Sequence, residues 1–311
     1  MVKKSLLAAV LLSLWAISLS YVYGLGGLAG MHAPSLVEES AQRALPLAGM
    51  LMRSGAPVCS EDPVGCGQVD PGERQAVSCE EFTTANATSR HAVLFVFGQS
   101  NSANAGRDRY VAGPDVLNFN YHDGKCYPAI DPLLGPNGEG GSVWGVLGDQ
   151  LIAGQHYDKV LIVPLGIGGT AIERWAPGGD LHARIKATAE SLDQAGVAPT
   201  HVLWHQGESD SGANPTAPEI YTEKFKAMVE ALRDYGIDAP VFPAIATRCN
   251  SEGDDGIRAA QRALPDTVEG VLPGADTDAL VGKRYRHDDC HFNHVGMQYH
   301  AALWRDAITA R

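Results

Sequence analysis

The chain has 311 residues, 45% of them hydrophobic and 19% charged, which suits one large α/β domain or a domain with an appendage. Its formal net charge is −12 and it carries no Lys/Arg-rich run, so nucleic acid is not an expected partner: phosphate contacts need clustered positive charge. The 35 glycines and 18 prolines fit a loop-rich enzyme better than a helical bundle.

Lys3 and Lys4 precede an uncharged run from Ser5 to about Gly30, with its apolar core at Leu6–Trp15. Two readings of residues 1–30 stand side by side. One is a cleaved signal peptide, with a small-x-small site such as Gly27-Leu28-Ala29. The other is an uncleaved membrane anchor, since Ser5–Gly24 has the roughly 20 residues that span a bilayer. In both, the lysines stay on the cytoplasmic side and the remainder is exported, to the periplasm or the cell exterior. Residues 31–90 read as a connector or a small cysteine-bearing extension. Leu36–Met52 is amphipathic, with an interruption at Pro46, and Ser54–Glu81 is rich in Gly, Pro, Cys and acids without sustained periodicity. The six cysteines, Cys59, Cys66, Cys79, Cys126, Cys249 and Cys290, read as disulfides in an exported chain. Cys59 and Cys66 resemble a metal pair only loosely, and no matching second pair follows, so zinc is disfavoured.

From 91 to 311 the pattern is regular. Apolar runs of strand length fall at Ala92–Phe97, Lys159–Leu165, His201–Trp204 and Val241–Thr247. Helical patterns fall at Gly145–Ala153, His182–Ala195, Pro218–Tyr235, Gly256–Leu264 and Gly296–Thr309. The clearest is Pro218–Tyr235, with Ile220, Phe225, Met228, Val229 and Leu232 assigned to one stripe, Pro218 near its start and Gly236 just past its end. The segment Arg107–Ser142 reads as loop. Continuous apolar strands alternating with helices predict an α/β fold with a central parallel sheet covered on both faces.

In such a sheet the carboxyl ends of the strands converge on one edge. The first run ends at Gly98-Gln99 and delivers Ser100. The second leads to Gly166-Ile-Gly-Gly-Thr170, the third to Gln206-Gly-Glu-Ser-Asp210, the fourth to Arg248-Cys-Asn250. Near the C-terminus stands His287-Asp-Asp-Cys-His-Phe-Asn-His294. A serine hydroxyl is a poor nucleophile at neutral pH and needs a base in hydrogen-bond reach, with donors aimed at the developing oxyanion. Gly168-Gly169 exposes backbone N–H groups, and Gln206 offers an amide donor. The Asp288–His291 spacing lets one loop carry carboxylate and imidazole together.

On these blocks (Gly98-Gln-Ser-Asn101, Gly168-Gly-Thr170, Trp204-His-Gln-Gly-Glu-Ser-Asp210 and Asp288-Asp-Cys-His-Phe292) the chain resembles the SGNH/GDSL hydrolase superfamily, and within it the sialate O-acetylesterase-like carbohydrate esterases. The resemblance covers about 91–311 and keeps the order of the blocks. It implies a three-layer α/β/α flavodoxin-like fold and hydrolysis of O-acetyl esters on carbohydrates, without a cofactor. It also implies Ser100 as nucleophile, His291 as base and Asp288 as its partner, with the Ser100 and Gly168 N–H groups and the Gln206 side chain as oxyanion donors. Gln206 stands where the superfamily's naming pattern has Asn.

Other residues carry alternatives. Asp289 is a second possible triad acid, Gly169 a second oxyanion donor. His287, His294 and His300 compete with His291, and no metal is expected among them. Glu208 and Asp210 form a carboxylate pair whose plainer role is to hold the Gln206 loop. Trp175 could stack on a sugar ring or plug its own loop; Arg174 and Arg248 could grip polar substituents or neutralise nearby acids. Cys249 and Cys290 should share the sheet edge, where a bridge would pin the histidine loop. Two other functions stay open: a polysaccharide O-acetyltransferase using the same residues, and a non-catalytic carbohydrate-binding module.

Overall fold

The computed structural model describes residues 59, 62–212, 215–250 and 252–310. The leader at 1–30 and the amphipathic stretch Leu36–Met52 lie outside them. The described residues belong to one compact unit. Its sheet has six strands in the order β3-β2-β4-β1-β5-β6. These are β1 (His91–Gly98), β2 (Val116–Asn120), β3 (Lys125–Pro128), β4 (Lys159–Pro164), β5 (His201–His205) and β6 (Val241–Pro243). All neighbouring pairs are parallel except β2–β3, so an antiparallel strand closes one edge of the expected parallel sheet.

The two-residue period of β1 divides the interior. Val93, Phe95 and Phe97 enter one apolar cluster, and Ala92, Leu94 and Val96 enter the other. Helices α2 (His182–Gln194), α3 (Pro218–Asp234) and α4 (Asp255–Thr267) supply Ile185, Phe225 and Leu264 to the first cluster. Helices α1 (Val143–Ala153) and α5 (His294–Thr309) supply Trp144, Leu147 and Trp304 to the second. The result is the three-layer arrangement with helices on both faces.

Two local expectations are corrected. Ile220 is 46% exposed, while Tyr221 is fully buried in α3. Tyr221 lies one turn before Phe225 and shares its face; Ile220, five residues before, is rotated away. The loop expected over Arg107–Ser142 contains β2 and β3. Asparagines are poor strand formers, yet Asn118 is buried in β2 because its amide pairs with both backbone groups of Leu134, at 2.6 and 3.1 Å.

The described part of the extension packs against the sheet. Phe82 and Cys59 are 1% exposed within the first cluster. Cys79 is bonded to Cys126 of β3, and the Val77 N–H donates to the Cys126 carbonyl at 2.8 Å. Cys59 and Cys66 form a second disulfide, and Cys249 and Cys290 a third. Three disulfides among the described residues are the pattern of a chain that folds in an oxidising compartment. No helix among the described residues is long and apolar enough to cross a membrane.

Candidate active site

The site forms at the carboxyl ends of β1, β4 and β5, beside the central strand where the strand order reverses. Gly98 ends β1 at φ +134°, and a Cβ there would lie 2.1 Å from the His205 carbonyl oxygen. Only glycine allows this approach. The chain then turns at once into a 3-10 segment, Ser100–Ser102, which places Ser100, 9% exposed, at the sheet edge. Trp144 Nε1 fixes the turn by donating to the Ser102 carbonyl at 2.8 Å.

His291 and Asp288 lie in the loop before α5. His291 Nδ1 is 2.7 Å from Asp288 Oδ2, and Asp288 Oδ1 accepts from the backbone N–H groups of His291 at 2.7 Å and Cys290 at 3.0 Å. Burial opposes ionisation of Asp288, but these hydrogen bonds outweigh it and hold the carboxyl at about 2. Asp289, by contrast, adopts φ +65° and makes no hydrogen bond to His291. One link ties this loop to the Ser100 turn and a second ties it to the neighbouring strand end. Asn101 Nδ2 reaches the Cys290 carbonyl at 3.4 Å, and the Cys249–Cys290 disulfide joins the loop to the segment after β6. Among the described residues, Ser100 Oγ and His291 Nε2 make no hydrogen bond, so the serine–imidazole contact is open here; such contacts often tighten only around a substrate.

Arg286 had no signal in the sequence patterns, yet it organises the loop. Fully enclosed, it donates to the carbonyls of Leu280, Thr277, Arg248 and Cys290 and lies over the Phe292 ring, 4.3 Å from its centroid. Its role is visible only in three dimensions, because its acceptors come from three separate segments.

The expected oxyanion donors are differently disposed. Gly168 N–H donates to Asn137 Oδ1 at 2.8 Å. Gln206 is fully buried, and its Nε2 is directed at Thr170 O (3.0 Å), Gln99 Oε1 (3.3 Å) and Asp210 Oδ2. Its amide hydrogens are thus committed to the loop framework rather than presented at Ser100. Gly169, with φ +72°, makes the turn.

Trp175 is not a sugar platform. It has no exposed surface, packs against Phe97 and Trp204, and donates from Nε1 to Thr170 Oγ1 at 2.9 Å. The loop folds its aromatic ring inward because the apolar core beneath is the larger attraction. Arg174 forks onto Asp180 at 2.9 and 2.6 Å, which ties the two ends of that loop. Arg248 is half-buried on the disulfide-bridged edge, its N–H donating to Asp278 at 2.9 Å.

The other histidines separate clearly. His300 is buried, accepts from Trp304 Nε1 at 3.1 Å, and is held neutral by burial. His294 opens α5, where its N–H donates to Asp108 at 3.0 Å. His287 is 3.6 Å from Asp288. Among the described residues, His287, Asp288 and His291 are the grouping whose ligand atoms, within 4.8 Å of one another, could hold a metal ion. His291 Nδ1 already faces Asp288 there, which suits a base and its orienting acid equally well.

The sequence comparison decides the family. The profile described as carbohydrate esterase, sialic acid-specific acetylesterase, matches residues 90–303. The chain belongs to this family. A probable carbohydrate esterase of Arabidopsis thaliana is 34% identical over 105 residues, which are 33% of this chain and 40% of that relative. A solved structure of an Arabidopsis thaliana protein superposes with a TM-score of 0.54 at 18% identity, covering 72% of this chain and 97% of that one, and shows the shared fold. A carbohydrate acetylesterase from Xanthomonas citri gives a TM-score of 0.47 at 17% identity, over 71% of this chain and 57% of that one.

In this family member, Glu208 sits behind the nucleophile turn. It is 7% exposed and accepts from Asn101 Nδ2 at 2.8 Å. Asp210 accepts from Ile172 N–H at 2.8 Å and from Gln206, so both acids brace the loop rather than face each other across a substrate. Burial lifts the Glu208 carboxyl from 4.5 to about 7, against the hydrogen bond from Asn101. The native state therefore keeps a proton that the unfolded chain releases at lower pH. This stabilisation is complete below the unfolded value and is lost as pH rises through about 7. Glu208→Gln keeps an acceptor for Asn101 and removes the titration. Its stability relative to the wild type is expected to increase between pH 5 and 8, by up to about 3 kcal/mol for a shift of this size. Asp131, also lifted to about 7 by burial, acts equally in both proteins. Denaturant midpoints at several pH values measure the difference, and parallel curves would remove the assignment.

Proposed function

We propose that this protein is an exported serine esterase that removes O-acetyl groups from a carbohydrate. The observation that carries the reading is the convergence at one sheet edge of the Ser100 turn with the Asp288–His291 pair, linked through Asn101 and Cys290. Ser100 Oγ attacks the ester carbonyl and His291 Nε2 takes its proton, while Asp288 holds the ring with its proton on Nδ1. The Ser100 N–H and the Gly168 N–H receive the oxyanion, the substrate oxygen displacing Asn137 from Gly168. His291 returns the proton to the departing sugar hydroxyl. Water, deprotonated by the same imidazole, then releases acetate from Ser100. No cofactor enters these steps. Gln206 acts as a brace of the turn, and Arg248 is the polar contact proposed for the sugar.

The family, a sialic acid-specific carbohydrate acetylesterase one, supports an acetylated glycan as substrate. The lysine-led apolar leader supports the periplasm or cell exterior, with the leader either cleaved or retained as an anchor.

The decisive experiment incubates the protein with a panel of acetylated glycans, with and without a non-acetylated acceptor glycan. Free acetate released in the absence of acceptor is the expected result. Acetyl appearing only on the acceptor would make the protein a transferase. Binding without any acetyl loss would make it a carbohydrate-binding module.

A further inference from the structure

The matched family segment begins at residue 90, yet a loop that precedes it reaches the site. The loop is closed by the Cys59–Cys66 disulfide, with Cα atoms 5.4 Å apart. It is anchored by Arg184 of α2, which has no exposed surface. The Arg184 guanidinium donates to the carbonyls of Pro63, Val64 and Cys66 at 3.2, 3.0 and 2.9 Å, and to that of Gly135 at 2.6 Å. Tyr121, whose ring lies 5.5 Å from that guanidinium, adds a hydrogen bond from its hydroxyl to Val64 O at 3.1 Å. A buried cation shared by four carbonyls fixes residues 63–66 and the Gly135–Asn137 segment to each other.

The loop ends against Asn137. Gly67, at φ +68°, approaches so closely that a Cβ on it would lie 2.6 Å from Asn137 Cβ. Asn137 in turn caps the Gly168 N–H, and a Cβ on Gly168 would be 3.4 Å from Ser100 Cβ and 3.8 Å from Asn137 Oδ1. The contacts therefore run from the disulfide loop through Asn137 to Gly168 and Ser100. The Asn137 backbone is pinned as well, by Asn137 N–H to Gly166 O at 3.1 Å and Asn104 N–H to Asn137 O at 3.0 Å. What stays free to turn is the carboxamide. Its Nδ2 makes no hydrogen bond among the described residues, whereas the Gln206 amide is committed to the loop framework.

We propose that Asn137 is a further catalytic residue, a side-chain amide donor to the oxygen of the reacting carbonyl, and that the Cys59–Cys66 loop positions it. Without substrate, Oδ1 satisfies the Gly168 N–H. When a carbonyl oxygen takes that N–H, the displaced carboxamide swings aside and turns Nδ2 toward the same oxygen, and the donor gains strength as negative charge develops. The loop supplies the rigidity that such a donor requires, since small misplacement of a catalytic group is costly in rate.

The inference rests on Ser100 as the nucleophile, and the experiment separates the two. Asn137→Ala is expected to lower kcat on a small aryl acetate about 10²-fold with KM changed little, as for a donor used mainly in the transition state. Asn137→Asp, which keeps an acceptor for Gly168 and hence the local packing, is expected to lose a comparable factor. Opening the loop with the Cys59→Ser/Cys66→Ser pair is expected to lower kcat about tenfold in the wild type and less than about twofold in the Asn137→Ala background, because the amide it positions is already gone. Thermal midpoints recorded alongside confirm that each variant is folded. Wild-type kcat in Asn137→Asp, or the same loss on opening the loop in both backgrounds, would overturn the proposal. An active Ser100→Ala protein would instead overturn the reading beneath it.

Discussion

Ser100→Ala is expected to lower kcat on an acetyl ester by about 10⁴-fold or more, with the glycan still bound. Gly98 lets β1 end hard against His205, and the 3-10 turn that follows places Ser100 at the sheet edge. Ser102, the other hydroxyl of the turn, is no substitute, since it has no exposed surface. The alanine variant keeps the turn, whose bonds are backbone ones from Ser102 N–H to Gln99 O and Ala103 N–H to Ser100 O. A folded, glycan-binding, inactive protein is therefore the expected product. Acetate release and calorimetric binding measured on the same preparation test it, and full activity would remove Ser100 from the mechanism.

Asp288→Asn should cost about 10²- to 10⁴-fold in kcat, the lower end reflecting a carboxylate whose side chain is 44% exposed. The asparagine oxygen can still accept from the backbone of Cys290 and His291, so the loop keeps its shape. Its amide nitrogen, however, would donate to His291 Nδ1 where the carboxylate accepts. The ring proton is then forced onto Nε2, the atom that must receive the serine proton. Asp289→Asn, which touches neither ring nitrogen, is the control and should retain activity. Steady-state rates on an aryl acetate compare the two variants; an inactive Asp289→Asn beside an active Asp288→Asn would exchange their roles.

The parallel sheet was legible because its central strands are continuous apolar runs, such as Val93–Phe97, that bury both faces. The strand ends then pointed to Ser100 and Gly168, and the three-residue spacing of Asp288 and His291 to the loop near the C-terminus. What stayed hidden depends on partners distant in sequence. Asn118 looks unlike a strand residue until Leu134 satisfies its amide. Trp175 looks like a surface aromatic until Phe97 and Trp204 are found beneath it. Arg286 and Arg184 look like surface cations until the carbonyls they collect are counted together. Asn137 follows a Gly-Pro pair in a stretch without periodicity, and only the closeness of Gly67 and Gly168 gives it a role.

The pairing of Val77 with Cys126 has a bearing beyond the site. β3 is the outermost strand on its side of the sheet, and an outer strand with unmet peptide groups is a template for self-association. The extension occupies part of that border and staples itself there through Cys79. A recombinant fragment begun at residue 90, as the family boundary would suggest, would carry a bare sheet border, an unpaired Cys126 thiol and the hollow left by Phe82. The segment before the family core thus covers part of that border, and a fragment lacking it is expected to self-associate more readily than the longer chain, which light scattering of the two purified proteins measures.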